Sequence, residues 1–405
     1  MLGLALAQDR HHPGDDLRGP PLSRLRYLDW LRGAAIILMV EAHVVDAWTR
    51  PADRAGAAYY AAVFAGGLAA PLFLFLAGAG IALAGERRAA AGQAPSAVAS
   101  GLRRRGWQIL LLALLFRVQA QLLGWGALVN LLRVDILNAM GPAMVAGAVL
   151  WQAGRTRGGR IALAASAAAA VSLATPAVWH LPALAALPDP IEAYARPAGG
   201  LSLFPLFPWA AFLLAGVAVG EGVAATWGRR SHDWLQAGFL AGGLGLALGS
   251  LWASYQPPIF ATADFWADSP AFFGLRLGLS VALVAAAWAH YVFWVPGADP
   301  APTAPARVLA AAGRSLPRPV TTLSRGLSGA VETMGRSSLF VYWVHVEMVY
   351  GLAAYPLKGR LPLAASLAAT AALAWALHAL VVWKNRRLSG VRLAGAWRVF
   401  APVLK

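Results

Sequence analysis

The sequence predicts an all-α fold, a polytopic membrane helix bundle of about ten transmembrane helices, with a range of ten to eleven. Hydrophobic residues make up 59% of the 405 residues and charged residues only 13%, whereas about a quarter of a soluble domain is charged. Apolar stretches long enough to cross a ~30 Å hydrocarbon core recur along the chain. Arginine-rich segments separate these stretches, so their charge carries information about topology.

Each predicted span is a long apolar stretch bounded by polar residues. The spans are 29–49, 59–84, 106–124, 129–152, 161–179, 203–226, 235–253, 271–295, 331–354 and 361–383. We expect a polar tail over residues 1–26, whose apolar stretch is too short for a signal-peptide core. One transmembrane domain follows over 27–383, and a basic tail covers 384–405. The segment 307–330 is a candidate interfacial helix.

Lys and Arg residues concentrate in alternate loops, as at Arg103–Arg105 and Arg229–Arg230, and are few in the loops between. Cytoplasmic loops carry such an excess of basic residues. We therefore expect an integral protein of the inner (plasma) membrane, with the lipid bilayer as its first partner and both termini in the cytoplasm.

The net charge of +16 would suggest a nucleic-acid partner in a soluble protein. Here the basic residues lie between apolar runs, so no nucleic-acid partner is predicted. The chain has no cysteine, which excludes disulfides, thiolate nucleophiles and iron–sulfur ligation. It also lacks a zinc-type His/Cys cluster, and no metal is predicted.

Ionisable side chains inside the spans are functional candidates, because a charge at mid-bilayer costs roughly 2.5–3.5 kcal/mol. Arg32 and His43 are eleven residues apart, which places them on one helix face and roughly 16 Å apart. His43 and His345 both lie about 20 Å from the cytoplasmic ends of their helices, so they could face one cavity. Asp46, three residues after His43, is the predicted local partner that orients its ring.

Other intramembrane charges have two interpretations each. Arg117 either pairs with an acid, Asp135 or Glu41, or contacts a ligand. Arg336 either extends its side chain to the headgroups or belongs to a binding site. The cluster Arg103–Arg105 could also meet the CoA phosphates, but its position in a predicted cytoplasmic loop is the favoured explanation.

Four segments carry a family resemblance. Residues 28–43 resemble the first helix of the transmembrane acyltransferase superfamily, specifically bacterial relatives of heparan-alpha-glucosaminide N-acetyltransferase. Residues 133–141, 204–209 and 334–345 fit the same family in the expected order. The spacing of Arg32 and His43 is also that of the arginine and histidine in family-3 membrane acyltransferases, which modify envelope glycans. The heparan enzymes carry their catalytic histidine in the loop after this helix, but residues 49–58 contain no histidine here, which leaves His43 as the substitute.

The resemblance implies transfer of an acyl group from cytoplasmic acyl-CoA, such as acetyl-CoA as co-substrate, to a sugar or glycan acceptor on the far side. By that analogy Arg32 contacts the CoA phosphates or positions the donor near the cytoplasmic entrance, and His43 is catalytic. With the two residues that helix geometry places near His43, the catalytic candidates are His43, His345 and Asp46. The candidates for donor and substrate binding are Arg32, Arg117, Asp135, Asn138, Arg336 and Tyr342.

The predicted chemistry leaves two mechanisms open. Histidine has an unperturbed pKa that suits a base near neutrality, so His43 either deprotonates the acceptor or carries the acyl group itself. A proton-coupled transporter is the alternative class, because intramembrane His, Asp and Arg also build proton relays. Inverted repeats would favour it, but only a short similarity between residues 71–78 and 208–216 is present. A non-catalytic scaffold would instead pair off its charges without a cavity.

Overall fold

The computed structural model describes residues 24–124, 127–257, 259–295 and 304–388, together with 400 and 403. Over these ranges the chain forms fourteen α-helices and no β-strand, which confirms the predicted all-α class. The first 23 residues of the predicted N-terminal tail, and residues 389–399 of the basic tail, lie outside the described residues. The helices are α1 Arg26–Trp48, α2 Gly56–Gly66, α3 Ala69–Ala90, α4 Pro95–Gly124, α5 Ile136–Ala153, α6 Arg157–Trp179, α7 Asp189–Ala195, α8 Leu206–Thr226, α9 Ser231–Ala253, α10 Pro270–Trp294, α11 Ala304–Arg314, α12 Arg318–Arg336, α13 Ser338–Tyr350 and α14 Leu363–Leu388.

Seven segments within the described ranges are long and apolar enough to cross a membrane, so the chain is a multi-pass membrane protein. They are the joined pair α2–α3 and the single helices α5, α6, α8, α9, α10 and α14. The other three predicted spans fall on α1, α4 and the pair α12–α13, which do not meet the same criteria of length and composition.

Several predicted spans have different boundaries in the structure, among them those at 331–354 and 129–152. The span predicted at 331–354 is two helices, since α12 ends at Arg336 and α13 begins at Ser338. Most of the expected interfacial segment forms α11 and the first part of α12. The span predicted at 129–152 starts as a short 3-10 turn, and α5 begins only at Ile136 because Asp135 caps it. The Asp135 carboxylate accepts hydrogen bonds from two backbone N–H groups of the first turn, which fixes the helix start.

Glycines bring several helix pairs into backbone contact. On α3 and α8, Gly78 lies against the carbonyl of Leu213 and Gly216 against the carbonyl of Phe75, so a side chain at either glycine would collide. Gly33 of α1 and Gly335 of α12 approach each other's helix in the same way. Small residues let membrane helices pack this closely. Helix α1 also contacts α3 and α13.

Candidate active site

A cavity of about 970 Å³ lies between α1, α3, α4, α5, α10 and α13. One face of α3 lines it from Ala70 to Arg88 at helical spacing. Eighteen residues of helix span about 27 Å, which is close to the ~30 Å thickness of a hydrocarbon core. The cavity therefore extends along most of the depth that a membrane-spanning helix covers.

Two histidines meet at the wall of this cavity. His43 of α1 is half-buried and lines the cavity, whereas His345 of α13 is fully buried behind it. His43 Nδ1 lies 2.8 Å from His345 Nε2, and the ring planes differ by 9° with centroids 5.0 Å apart. The nearly coplanar rings and the short nitrogen separation fit a hydrogen bond within the ring plane. We call these two residues the histidine pair.

The hydrogen bonds of His345 determine the proton positions in the pair. His345 Nδ1 lies 3.0 Å from the carbonyl oxygen of Val341, which can only accept a hydrogen bond. His345 therefore carries its proton on Nδ1, and in the neutral pair its Nε2 accepts from His43 Nδ1–H. This arrangement leaves Nε2 of His43 as the unprotonated, basic nitrogen.

The position of His345 depends on how α13 packs against α1. Val341, His345 and Val349 form the buried face of α13 at a spacing of four residues. The indole of Trp48 at the end of α1 donates a 3.0 Å hydrogen bond to the carbonyl of Val349. The ring of Tyr342, which lines the cavity, contacts the edge of His345 at 5.7 Å between centroids. The histidine pair is thus held by helix packing.

Asp46 lies near the pair without bonding to it. Its carboxylate accepts a 2.9 Å hydrogen bond from the Tyr350 hydroxyl, and the Tyr350 ring lies 5.5 Å from the His43 ring. His345, and not Asp46, is the hydrogen-bonding partner of His43. The local contact predicted between Asp46 and His43 is therefore replaced by an indirect one through Tyr350, because the i+3 spacing leaves Asp46 exposed.

Arg117 and Asp135 face the cavity as an ion pair, with Arg117 Nη2 at 2.9 Å from Asp135 Oδ2. Asp135, one of the two acids predicted as possible partners of Arg117, is therefore its partner in the structure. Asn138 completes the cap of α5, where its Oδ1 accepts from the backbone N–H of Asp135 at 3.3 Å. Its Nδ2 lies 3.4 Å from the Tyr194 hydroxyl. Asn138 is held in these contacts and does not line the cavity.

Arg32 and Arg336 belong to an ion-pair cluster at the N-terminal end of α1. Arg32 Nη1 lies 2.9 Å from Asp29 Oδ1. Arg336 pairs with Glu332 on its own helix, and its Nε lies 3.8 Å from Asp29. Neither arginine lines the cavity, although the Arg32 guanidinium lies beside Gly80, which does. The structure therefore does not bring these two predicted site residues to the cavity surface.

Three arginines that sequence reasoning attributed to topology line one end of the cavity. Arg88 of α3 and Arg104 and Arg105 of α4 form what we call the basic mouth. Within the described ranges none of them has an ion pair or a side-chain hydrogen bond. Arg103 points elsewhere and donates to Gln152 at 2.7 Å. One helical turn after Arg104 and Arg105, Gln108 and Ile109 also line the cavity wall. This i, i+4 spacing was the sequence signal that places the two arginines on the same helix face as the cavity.

These features define a multi-pass membrane protein with a histidine pair on a deep cavity that ends in unpaired arginines. The family profile described as heparan-alpha-glucosaminide N-acetyltransferase, catalytic, matches residues 24–257. This match covers more than half of the chain, so the chain belongs to that family of membrane acetyltransferases, as the resemblance predicted. No match was found among curated proteins. The matched part contains His43 and the basic mouth, while α10 and α13 lie beyond it.

Proposed function

We propose that the chain transfers an acyl group from acyl-CoA, with acetyl-CoA as the first candidate, to an amino or hydroxyl group of a sugar or envelope glycan. The observation that carries this proposal is the histidine pair, whose free nitrogen belongs to a residue lining a cavity that also reaches three unpaired arginines. The family match supports the same class of reaction.

The donor binds with its phosphates at the basic mouth. Arginine is suited to phosphate because its planar guanidinium donates several hydrogen bonds at once. From there the wall of α3 is small and apolar, with Ala84, Ile81 and Ala77 facing the cavity. The extended pantetheine arm fits such a passage and brings the thioester toward His43. Arg32, the donor anchor suggested by the sequence, supports the wall beside Gly80 instead.

Acyl transfer then uses the free nitrogen of His43. His43 Nε2 takes the proton from the acceptor N–H or O–H, and the acceptor atom forms a bond to the thioester carbonyl carbon. The carbon–sulfur bond breaks, and the proton on His43 passes to the departing CoA thiolate. His345 supports the positively charged intermediate state by accepting from His43 Nδ1–H. Tyr342 and Arg117 are the donors in the cavity wall that are available to the developing oxyanion.

The two ends of the cavity belong to two compartments in this proposal. The basic mouth faces the cytoplasm, where acyl-CoA is made. Both termini also lie on the cytoplasmic side, and the membrane is the inner one. The acceptor enters from the other end, near Trp209 and Trp266.

Labelled acetyl-CoA tests the proposed function directly. We expect the purified protein to move label onto an amino sugar and His43→Ala to lose transfer by at least about a hundredfold, since general base catalysis contributes 10²–10⁴-fold. His378→Ala is a matched control, since that histidine does not line the cavity. Label on the wild-type protein in the absence of acceptor, but not on His43→Ala, would show that His43 carries the acyl group. Transfer by His43→Ala at the wild-type rate would contradict the proposal.

A further inference from the structure

A further unpaired cation lies at the end of the cavity opposite the basic mouth. Arg276 of α10 lines the cavity, and its buried Nε has no hydrogen-bond partner. No carboxylate pairs with its guanidinium anywhere in the described ranges. The guanidinium lies 3.8 Å from the ring centre of Phe272 and 6.0 Å from that of Trp209. Cation–π contacts of this kind leave the N–H groups at the edge of the guanidinium available to an anion.

Aromatic side chains form the wall around Arg276. Phe204, Trp209 and Trp266 line the cavity there, and the Phe204 and Trp209 rings meet edge to face at 4.7 Å between centroids. Flat apolar rings beside polar donors suit a ligand that has both a C–H-rich face and polar groups, as a sugar ring has. An unpaired guanidinium in a membrane interior is costly, so an anion is the fitting partner.

The end of the cavity that Arg276 and these aromatic rings line is close to the histidine pair. Gly66, the last residue of α2, and Gly67, which follows it, also line the cavity. A methyl group on Gly67 would lie 3.3 Å from Arg276 Nη2, whereas one on Gly66 would lie 2.5 Å from Glu41 Oε2 and 2.7 Å from the side chain of Ala42, the neighbour of His43. The Glu41 carboxylate itself forms no ion pair with Arg276 in the described ranges. One glycine turn thus separates Arg276 from the helix segment that carries the proposed base.

We infer that Arg276 binds an anionic group of the acceptor, so that the acceptor is an acidic sugar such as a uronic acid or a sugar phosphate. This inference rests on the proposed function. The donor phosphates occupy the basic mouth, and Arg276 with the aromatic wall holds the acceptor so that its amino or hydroxyl group reaches His43.

Three acceptors that share one amino group test this inference, namely glucosamine, glucosaminuronic acid and glucosamine 6-phosphate. We expect the wild-type protein in detergent to use at least one acidic sugar with a kcat/KM about tenfold or more above that for glucosamine, as a charge-assisted hydrogen bond provides. Arg276→Gln should bring that ratio to about one, and Arg276→Lys should retain part of it. Arg229→Gln, at an exposed arginine between α8 and α9, is the matched control and should leave the ratio unchanged.

Four outcomes test whether Arg276 binds an anionic group of the acceptor. Equal use of all three sugars by the wild-type protein would overturn the inference, and so would an equal loss on all three in Arg276→Gln, because that pattern indicates a structural role. If no sugar is acylated, calorimetric titration of the same sugars separates the two proposals. Preferential binding of an acidic sugar that Arg276→Gln abolishes would support the subsite while the proposed function fails. Binding of phosphatidylglycerol that depends on Arg276, with no binding of the sugars, would assign the cation to a lipid headgroup and overturn the inference.

Discussion

The proton on His345 Nδ1 decides which nitrogen of His43 is free to act as a base. That proton is fixed by the carbonyl of Val341, one helical turn earlier on α13. The sequence predicted that His43 and His345 lie at similar depth, because depth follows from counting residues along a helix. It did not predict that the two rings bond directly, since their contact depends on how α1 and α13 pack 302 residues apart in the chain.

Removing His345 tests its role as a positioning residue. We expect His345→Ala to lower kcat by about ten- to a hundredfold with little change in KM for either substrate, because His43 loses the acceptor for its Nδ1–H. His345→Gln should recover part of the rate, since its amide oxygen also accepts a hydrogen bond. Steady-state kinetics of both variants measure this. An unchanged kcat in His345→Ala, or a loss confined to KM, would remove His345 from the mechanism.

Single substitutions in the basic mouth test whether its arginines bind the donor phosphates. We expect Arg104→Gln and Arg105→Gln each to raise the KM for acetyl-CoA by about tenfold, because each loses a charge-assisted contact to phosphate. Arg103→Gln is the matched control, since Arg103 bonds Gln152 instead of lining the cavity. A raised KM in Arg32→Gln but not in the mouth variants would return the donor anchor to the position that the sequence suggested.

At the scale of helices, apolar length predicted where most elements lie, and local polar chemistry decided where they begin. Asp135, proposed from sequence as a binding residue, also starts α5 by capping it. The break at Ser337 was not predicted, because an apolar run from Ser338 onward hides the change of helix from α12 to α13. Helix spacing shows which residues share a face, but it does not show which neighbour that face meets.

Matched glycine variants test the helix contacts. Gly216→Ala places a methyl group against the carbonyl of Phe75 and should destabilise the protein by about 1–3 kcal/mol. Gly242→Ala, on the exposed face of α9 with open space around it, should be neutral or stabilise by about 0.5–1 kcal/mol. Unfolding of both variants in one detergent measures the difference. Equal stabilities would contradict the close contact of α3 and α8.

For the whole molecule, the sequence predicted the all-α membrane bundle and the family, because apolar length and local motifs are properties of the chain itself. The depths of His43 and His345 predicted a shared cavity, but the other residues that line it could not be predicted in this way. Arg88 and Arg104 line it because α3 and α4 pack beside each other at Gly101, where the Arg88 guanidinium fits the space that a side chain would fill. The two arginines lie side by side in the cavity wall only because of this packing. Topology alone explained their presence in a basic loop.

The chain contains no cysteine, so single cysteines report on sidedness without further changes. We expect Ala91→Cys, in the turn beside the basic mouth, to react with a membrane-impermeant maleimide only after the cells are opened. Ala57→Cys lies at the opposite end of the joined pair α2–α3. It should react in cells whose inner membrane is intact and whose periplasm is accessible to the maleimide. Both positions are exposed. The reverse labelling pattern would invert the proposed topology.

In the proposed mechanism one membrane-crossing cavity joins the donor at the basic mouth to an acceptor on the other side through His43. Proteoliposomes measure this most directly, with labelled acetyl-CoA outside, an amino sugar sealed inside, and the basic mouth of the active molecules facing outward. We expect the wild-type protein to produce labelled acyl sugar in the lumen and His43→Ala to produce none. Lumenal product from His43→Ala at the wild-type rate, or product from the wild-type protein only when donor and acceptor share one side, would contradict transfer across the membrane through His43.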